Sequence, residues 1–255
     1  MAERLLILGG TAEAVALAHA AAKQFPGLST VTSLAGVTSR PTPVPGDVRT
    51  GGFGGAEGLA AYLTGTNISH VIDATHPFAA RMAGNAQAAC AATGTPRLKL
   101  LRPMWQRTPA DIWIDVADAA EAAGQLGDMT AKSVFLTLGI RDLEPFAALS
   151  GAAFVVRLIE RPAALLPIEA HVVTGRGPFC QADERGLMQQ HRIDALVTKA
   201  SGGAATEGKI RAARALRLPV VMLRRPTPPP GDTAPDVAAA LRWLDSRLAR
   251  AKSTP

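Results

Sequence analysis

The chain has 255 residues, enough for one large domain or two modest ones. Its formal net charge is +6, yet the cations are spread along the chain with no basic tract interleaved with aromatics. That pattern argues against nucleic acid and for a carboxylate- or phosphate-rich small ligand. The two cysteines, Cys90 and Cys180, lie far apart and outside any metal-ligand spacing, no apolar run is long enough for a bilayer, and no leader-like segment opens the chain, so a cytoplasmic protein without membrane association or metal is expected.

Strand-like runs alternate with helical ones almost from end to end. Leu5–Leu8 leads into a helix at Ala12–Gln24, and Ser29–Leu34 is the next strand. A Pro/Gly-rich loop and "GGFGG" precede a helix at Ala56–Leu63; His70–Ala74 is a strand, Ala79–Ala92 a helix and Arg97–Pro103 a strand. The pattern restarts at Ile112–Val116, with a helix at Ala117–Leu126. Ser133–Leu138, Ala153–Leu158, His171–Thr174, Ala195–Thr198 and Val220–Leu223 are later strands. Helices follow at Gln181–His191, Ala205–Leu216 and, past a proline-rich connector, Asp236–Lys252. Such alternation predicts an α/β fold of two Rossmann-like domains with mainly parallel sheets. The expected division is residues 1–110 and 111–255, with a soft boundary between 100 and 132 because Ile112–Val116 suits either sheet. No sequence repeat between the halves is evident.

Ligands of such folds sit beyond the carboxyl ends of the strands, so the loops there carry the information. After the first strand, Gly9, Gly10 and Thr11 allow a tight turn onto helix amides that can receive an anion, with Thr11 as cap or phosphate ligand. The three-glycine dinucleotide spacing is absent, which makes this half a fingerprint, and a plain strand-to-helix turn explains it equally well. Glu13 is most simply a helix-dipole partner. The region after the second strand offers Ser33, Thr38, Ser39 and Arg40 and no acid. A hydroxyl with an arginine suits a 2′-phosphate, which tilts the choice to NADPH, although a solvated loop charge is the plainer account of Arg40. "GGFGG" reads as a flexible loop.

"HVIDATHPFA" gathers Asp73, Thr75 and His76 at a strand end, with Pro77 shaping the turn. Facing a cleft, His76 or Asp73 could deliver a proton; alternatively the aspartate caps a helix and the histidine bonds backbone. No Gly-x-Ser-x-Gly turn and no His/Cys ligand pairing points to a hydrolase or a zinc site. In the second half, Arg176 follows one strand, Lys199, Ser201 and Gly202 another, and Arg224 and Arg225 a third. Together these loops predict a cationic, hydroxyl-rich rim for a ligand with several carboxylates, against the plainer reading of scattered surface charge.

Taken together, "LILGGTAEA", "DATHPFA", "TGRGPF" and "KASGG" followed by "PVVMLRRP" resemble the precorrin-6A reductase family of cobalamin (vitamin B12) synthesis, from Leu6 to Pro226. The resemblance implies an NADPH-dependent reductase acting on one double bond of the precorrin-6A macrocycle to give precorrin-6B, in two Rossmann-like domains that exchange strands around a substrate cleft. It puts Gly9, Gly10, Thr11 and Ser33 near the cofactor, with Arg40 on its 2′-phosphate. Thr75, His76 and Pro77 fall near nicotinamide or substrate, and Arg176, Lys199, Ser201 and Gly202 in the second half's share of the cleft. His76, Asp73 or a bound water is then the proton source, and the partners the resemblance implies are the tetrapyrrole substrate and, transiently, neighbouring pathway enzymes. The sequence does not separate the metal-free substrate from its cobalt-containing counterpart. Two competing readings are a precorrin methyltransferase, which would want an acid at the end of the second strand, and a non-catalytic nucleotide-sensing module, which would not need the second half's polar loops.

Overall fold

The computed structural model describes residues 3–36 and 41–253, with backbone only for 251–253. The elements are β1 (Arg4–Leu8), α1 (Ala12–Gln24), β2 (Ser29–Leu34), β3 (Asp47–Thr50), α2 (Gly55–Gly65), β4 (His70–Asp73), α3 (Ala80–Thr93), β5 (Arg97–Leu100), β6 (Ile112–Val116) and α4 (Ala119–Asp128). Then come β7 (Ser133–Thr137), β8 (Ala153–Leu158), β9 (His171–Thr174), α5 (Gln181–Gln190), β10 (Ala195–Lys199), α6 (Gly208–Leu216), β11 (Pro219–Leu223), β12 (Asp232–Ala234) and α7 (Val237–Ser253). They form two six-stranded sheets whose recorded pairings are all parallel, in the orders β12-β5-β4-β1-β2-β3 and β6-β11-β10-β7-β8-β9. The chain divides into two units, Met1–Arg102 with Pro226–Pro255, and Pro103–Arg225.

Each sheet has the doubly wound order, and in each the outermost place next to the fifth strand is filled from out of turn. β6 follows β5 in sequence yet pairs with β11. β12 follows β11 yet pairs with β5. The expected strand exchange is therefore present, and it redraws the domain boundary. The sequence reading gave all of residues 111–255 to the second domain. The structure returns the segment from Pro226 to the first unit, because β12 adds to that sheet and α7 packs Ala240, Leu241 and Leu244 into its core.

Unrecognised in the sequence, the chain runs through one series twice. β1 to β6 with α4, and β7 to β12 with α7, occupy corresponding places, and each series hands its last strand and helix to the other unit. Corresponding ends carry matching residues: Leu8-Gly9 and Leu138-Gly139, Thr50-Gly51 and Thr174-Gly175. Asp118 caps α4 and Asp236 caps α7. The copies differ where it matters for a nucleotide. In the place of α1 the second series has two short 3-10 turns, Ile140–Asp142 and Glu144–Ala148, with Phe146 buried beneath them.

α1 forms because Thr11 caps it and Ala14, Leu17, Ala18 and Ala21 recur on one face, which packs on Leu5 and Ile7 of β1. The opposite face of the sheet, with Leu6, Leu8 and Val71, is covered by α2 and α3. At the amino edge of that sheet His70 is only 5 % exposed, and desolvation outweighs the attraction of Glu3 to hold its imidazole below the ordinary histidine range. The unfolded chain then binds the proton more readily, so His70 contributes stability that is full above the ordinary histidine pKa and is lost as pH falls below it. Melting temperature measured from pH 8 to pH 5 should fall, and His70→Phe should flatten that slope; an unchanged slope would remove His70 as its source.

Candidate functional site

The first sheet reverses direction between β1 and β4, and the loops there build one site. Gly9 donates its N–H to Ser33 O at 2.8 Å, and a Cβ on Gly9 would lie 3.2 Å from that same oxygen, a tight fit that favours glycine where the two strands approach. Gly10 turns at φ +105, with nothing within 4 Å of where its Cβ would be. Thr11 Oγ1 accepts from Ala14 N at 3.1 Å and donates to Ala74 O at 2.7 Å. Its one proton is thus committed to tying α1 to the end of β4. The cap takes the Ala14 amide, so an anion at this turn would meet the amides of Ala12 and Glu13. Glu13 is not merely a dipole partner: both its oxygens accept from Arg102 Nη1, at 3.0 and 2.9 Å. Thr11, Glu13, Thr75, Pro77 and Arg102 line one crevice at this switch point.

Strand register explains what lies under the crevice. Ser33, Leu8, Asp73 and Lys99 stand in one row across β2, β1, β4 and β5, so Asp73 and Lys99 are direct neighbours on one face. Lys99 Nζ donates to Asp73 Oδ1 at 2.9 Å, to Thr75 O at 3.1 Å and to Thr75 Oγ1 at 3.0 Å. Asp73 Oδ1 also accepts from Thr75 N at 3.0 Å and Thr75 Oγ1 at 2.6 Å. Burial pulls the Lys99 amine below its usual range, while Asp73 opposes that shift. The expectation that Asp73 faces a cleft and delivers a proton is corrected here: it is 0 % exposed, and its carboxylate is ion-paired beneath the turn.

The half-buried His76 sits on that turn. Its Nδ1 accepts from Phe78 N at 3.2 Å and its carbonyl accepts from Ala79 N at 2.8 Å. In the neutral ring this places the proton on Nε2. Ser33 is nearly buried and holds Gly9 through its carbonyl. Thr38, Ser39 and Arg40 lie outside the described residues. The "GGFGG" loop is pinned rather than loose: Arg49, paired with Ser33 in register, donates to Gly51 O and Gly52 O at 2.6 Å each and lies 3.9 Å from the Phe53 ring centre.

In the second unit, the loops after β9 and β10 meet. Phe179 N donates to Ala205 O at 3.1 Å, and a Cβ on Gly177 would lie 3.1 Å from that oxygen, a tight fit. Arg176 is exposed on the first of these loops. Lys199, at the end of β10, pairs with Asp142 at 2.6 Å, so part of the expected positive rim is neutralised locally. Ser201 is 5 % exposed, and a Cβ on Gly202 would lie 2.1 Å from Pro103 O. Arg225 donates to Ala200 O and Ser201 O at 3.1 and 2.8 Å, which holds the turn from below, while Arg224 is exposed. Ser201 and Gly202 therefore shape this loop by close backbone packing. Sequence reasoning missed Lys99, Arg102 and Arg49. A lysine flanked by leucines in "RLKLL", a strand paired on both sides, was the available signal for the first.

The model of the family described as precorrin-6x reductase CbiJ/CobK matches residues 4–245. A precorrin-6A reductase of Rhodococcus erythropolis is 46 % identical, covering 97 % of this chain and 99 % of its own. One from Rhodobacter capsulatus is 43 % identical, over 94 % and 95 %. A cobalt-precorrin-6A reductase of Priestia megaterium is 27 % identical, over 67 % and 70 %. The solved structure titled CobK precorrin-6A reductase superimposes with a TM-score of 0.90 at 41 % identity, covering 96 % of this chain and 97 % of that one.

Proposed function

Because the chain belongs to the precorrin-6x reductase family, and so to the oxidoreductases, we propose that it reduces one double bond of precorrin-6A to give precorrin-6B, with NADPH as the reductant, in the cytoplasm. The observation that carries this reading is the agreement in sequence and fold along nearly the whole chain with precorrin-6A reductases. The metal-free substrate is favoured, since the relatives named for it match at 41–46 % over nearly the full length. Those named for the cobalt form match at 27–32 % over about two thirds to three quarters.

The first unit suits the dinucleotide. Gly10 leaves open space over the first turn of α1, a feature the second series lacks because 3-10 turns replace the helix. Gly9, Gly10 and Thr11 would cradle the pyrophosphate, Ser33 and Thr75 would lie along the cofactor, and Arg40 would read the 2′-phosphate. When bound, NADPH supplies the hydride. The chain's task is to position two rings, exclude water and deliver a proton. With Asp73 sealed in its ion pair, we assign the proton to His76 Nε2. Pro77 gives the turn its direction. In the second unit Arg176 and Lys199 would meet substrate carboxylates, with Ser201 and Gly202 shaping the loop that carries them.

One anaerobic assay tests the reading: purified protein, NADPH and precorrin-6A, followed by NADPH absorbance and pigment mass. A product heavier by two hydrogens with matching NADPH loss is expected. Turnover of the cobalt form alone would move the protein to the other branch, and turnover of neither would refute the reading. Arg176→Glu should leave NADPH affinity unchanged and raise KM for the pigment by about tenfold or more. An unchanged KM would take Arg176 out of the site.

A further inference from the structure

Two full charges lie sealed beneath the Thr75–His76 turn, Asp73 at 0 % and Lys99 at 2 % exposure. Buried ion pairs of this kind are poor stabilisers, and replacing both partners by uncharged groups of similar volume is commonly neutral or favourable. This pair is also incomplete, because Asp73 Oδ2 is buried with no hydrogen-bond partner. What the pair achieves is local. Lys99 holds both oxygens of Thr75, and Asp73 holds its N–H and hydroxyl, so Thr75 is gripped from two strands at once. His76 is the next residue, and its ring is already oriented through Nδ1.

We propose that Lys99, with Asp73 as its counter-ion, is a positioning residue for the reduction: by clamping Thr75 it fixes the backbone from which His76 projects. This rests on the role given to His76 above. The other charges that act on Lys99 are Arg97 and Arg102, both cationic, so among these charged neighbours Asp73 alone favours the ammonium. The clamp needs a charge-bearing donor that reaches two acceptors on one residue, which an aliphatic side chain on β5 cannot provide.

The test is the neutral double variant Asp73→Asn/Lys99→Met. Melting temperature should be unchanged or higher, NADPH affinity by fluorescence should stay within about threefold, and single-turnover NADPH oxidation with precorrin-6A should slow by about a hundredfold. A merely structural pair predicts the reverse, lower stability with a normal rate once folded. Should the double variant not fold, Thr75→Val removes the hydroxyl that both charged groups bond while leaving the charges and their two bonds to the Thr75 backbone in place, and about a tenfold loss of rate is expected. A folded double variant turning over within about threefold of the parent, or a fully active Thr75→Val, overturns the proposal. Those outcomes presuppose an active parent; a parent inactive on both pigment forms would instead sink the reductase reading itself.

Discussion

His76→Ala is expected to slow single-turnover reduction by about a hundredfold to ten-thousandfold, the range for loss of a general acid, while leaving NADPH affinity within about threefold. The expectation follows from elimination and from geometry. Asp73 has no exposure and spends its carboxylate on Lys99 and Thr75. Thr11 spends its proton on Ala74 O. His76 is half-buried on the same turn as Thr75 and Pro77, which line the crevice at the strand reversal, and its Nδ1 is occupied by Phe78 N–H. Only Nε2 then carries a proton in the neutral ring, and a ring held at one end is a defined donor at the other. Rapid mixing under anaerobic conditions gives the rate, and fluorescence titration gives the cofactor affinity. A variant with the parent's rate would leave a bound water as the proton source and reduce His76 to a turn residue.

Much of this architecture is legible in the sequence because buried parallel strands read as continuous apolar runs, and β1, β7, β10 and β11 are of that kind. Two strands escape, and both are short and mostly exposed. β3 is Asp-Val-Arg-Thr at a sheet edge and largely exposed, and β12 is three residues beyond a proline-rich connector. Missing β12 is what misplaced the domain boundary, since that short strand and α7 carry the chain back to the first sheet. The duplication escapes for a related reason. Its copies share strand order and caps while the helix after the first strand is replaced by 3-10 turns, so few residues still align. At the site, glycines and a histidine announce themselves by position after a strand. The partners that fix them come from strand register: Asp73 meets Lys99 because β4 and β5 pair in one particular alignment, which no local pattern reveals.

The same register makes Lys99→Met the change with the largest expected effect on stability, about 3–5 kcal/mol. It leaves Asp73 buried with its counter-ion gone, Oδ2 already without a partner and only Thr75 to bond. Asp73→Asn should be milder and should depend on pH in a definite direction. Burial already draws the Lys99 amine down, and Asp73 is the neighbour that holds it up. Without that neighbour the folded-state pKa drops further below the unfolded value, so the unfolded chain binds more protons and stability rises with pH. Asp73→Asn should therefore regain melting temperature as pH rises toward the ordinary lysine pKa and the buried amine sheds its charge. Lys99→Met, which has no titrating amine there, should show no such gain. The two single changes would then be unequal at alkaline pH although they break one bond, and the double variant should be more stable than Lys99→Met throughout. Equal losses at every pH, or a double variant no better than Lys99→Met, would mean that the two side chains are held by surrounding packing and not by each other.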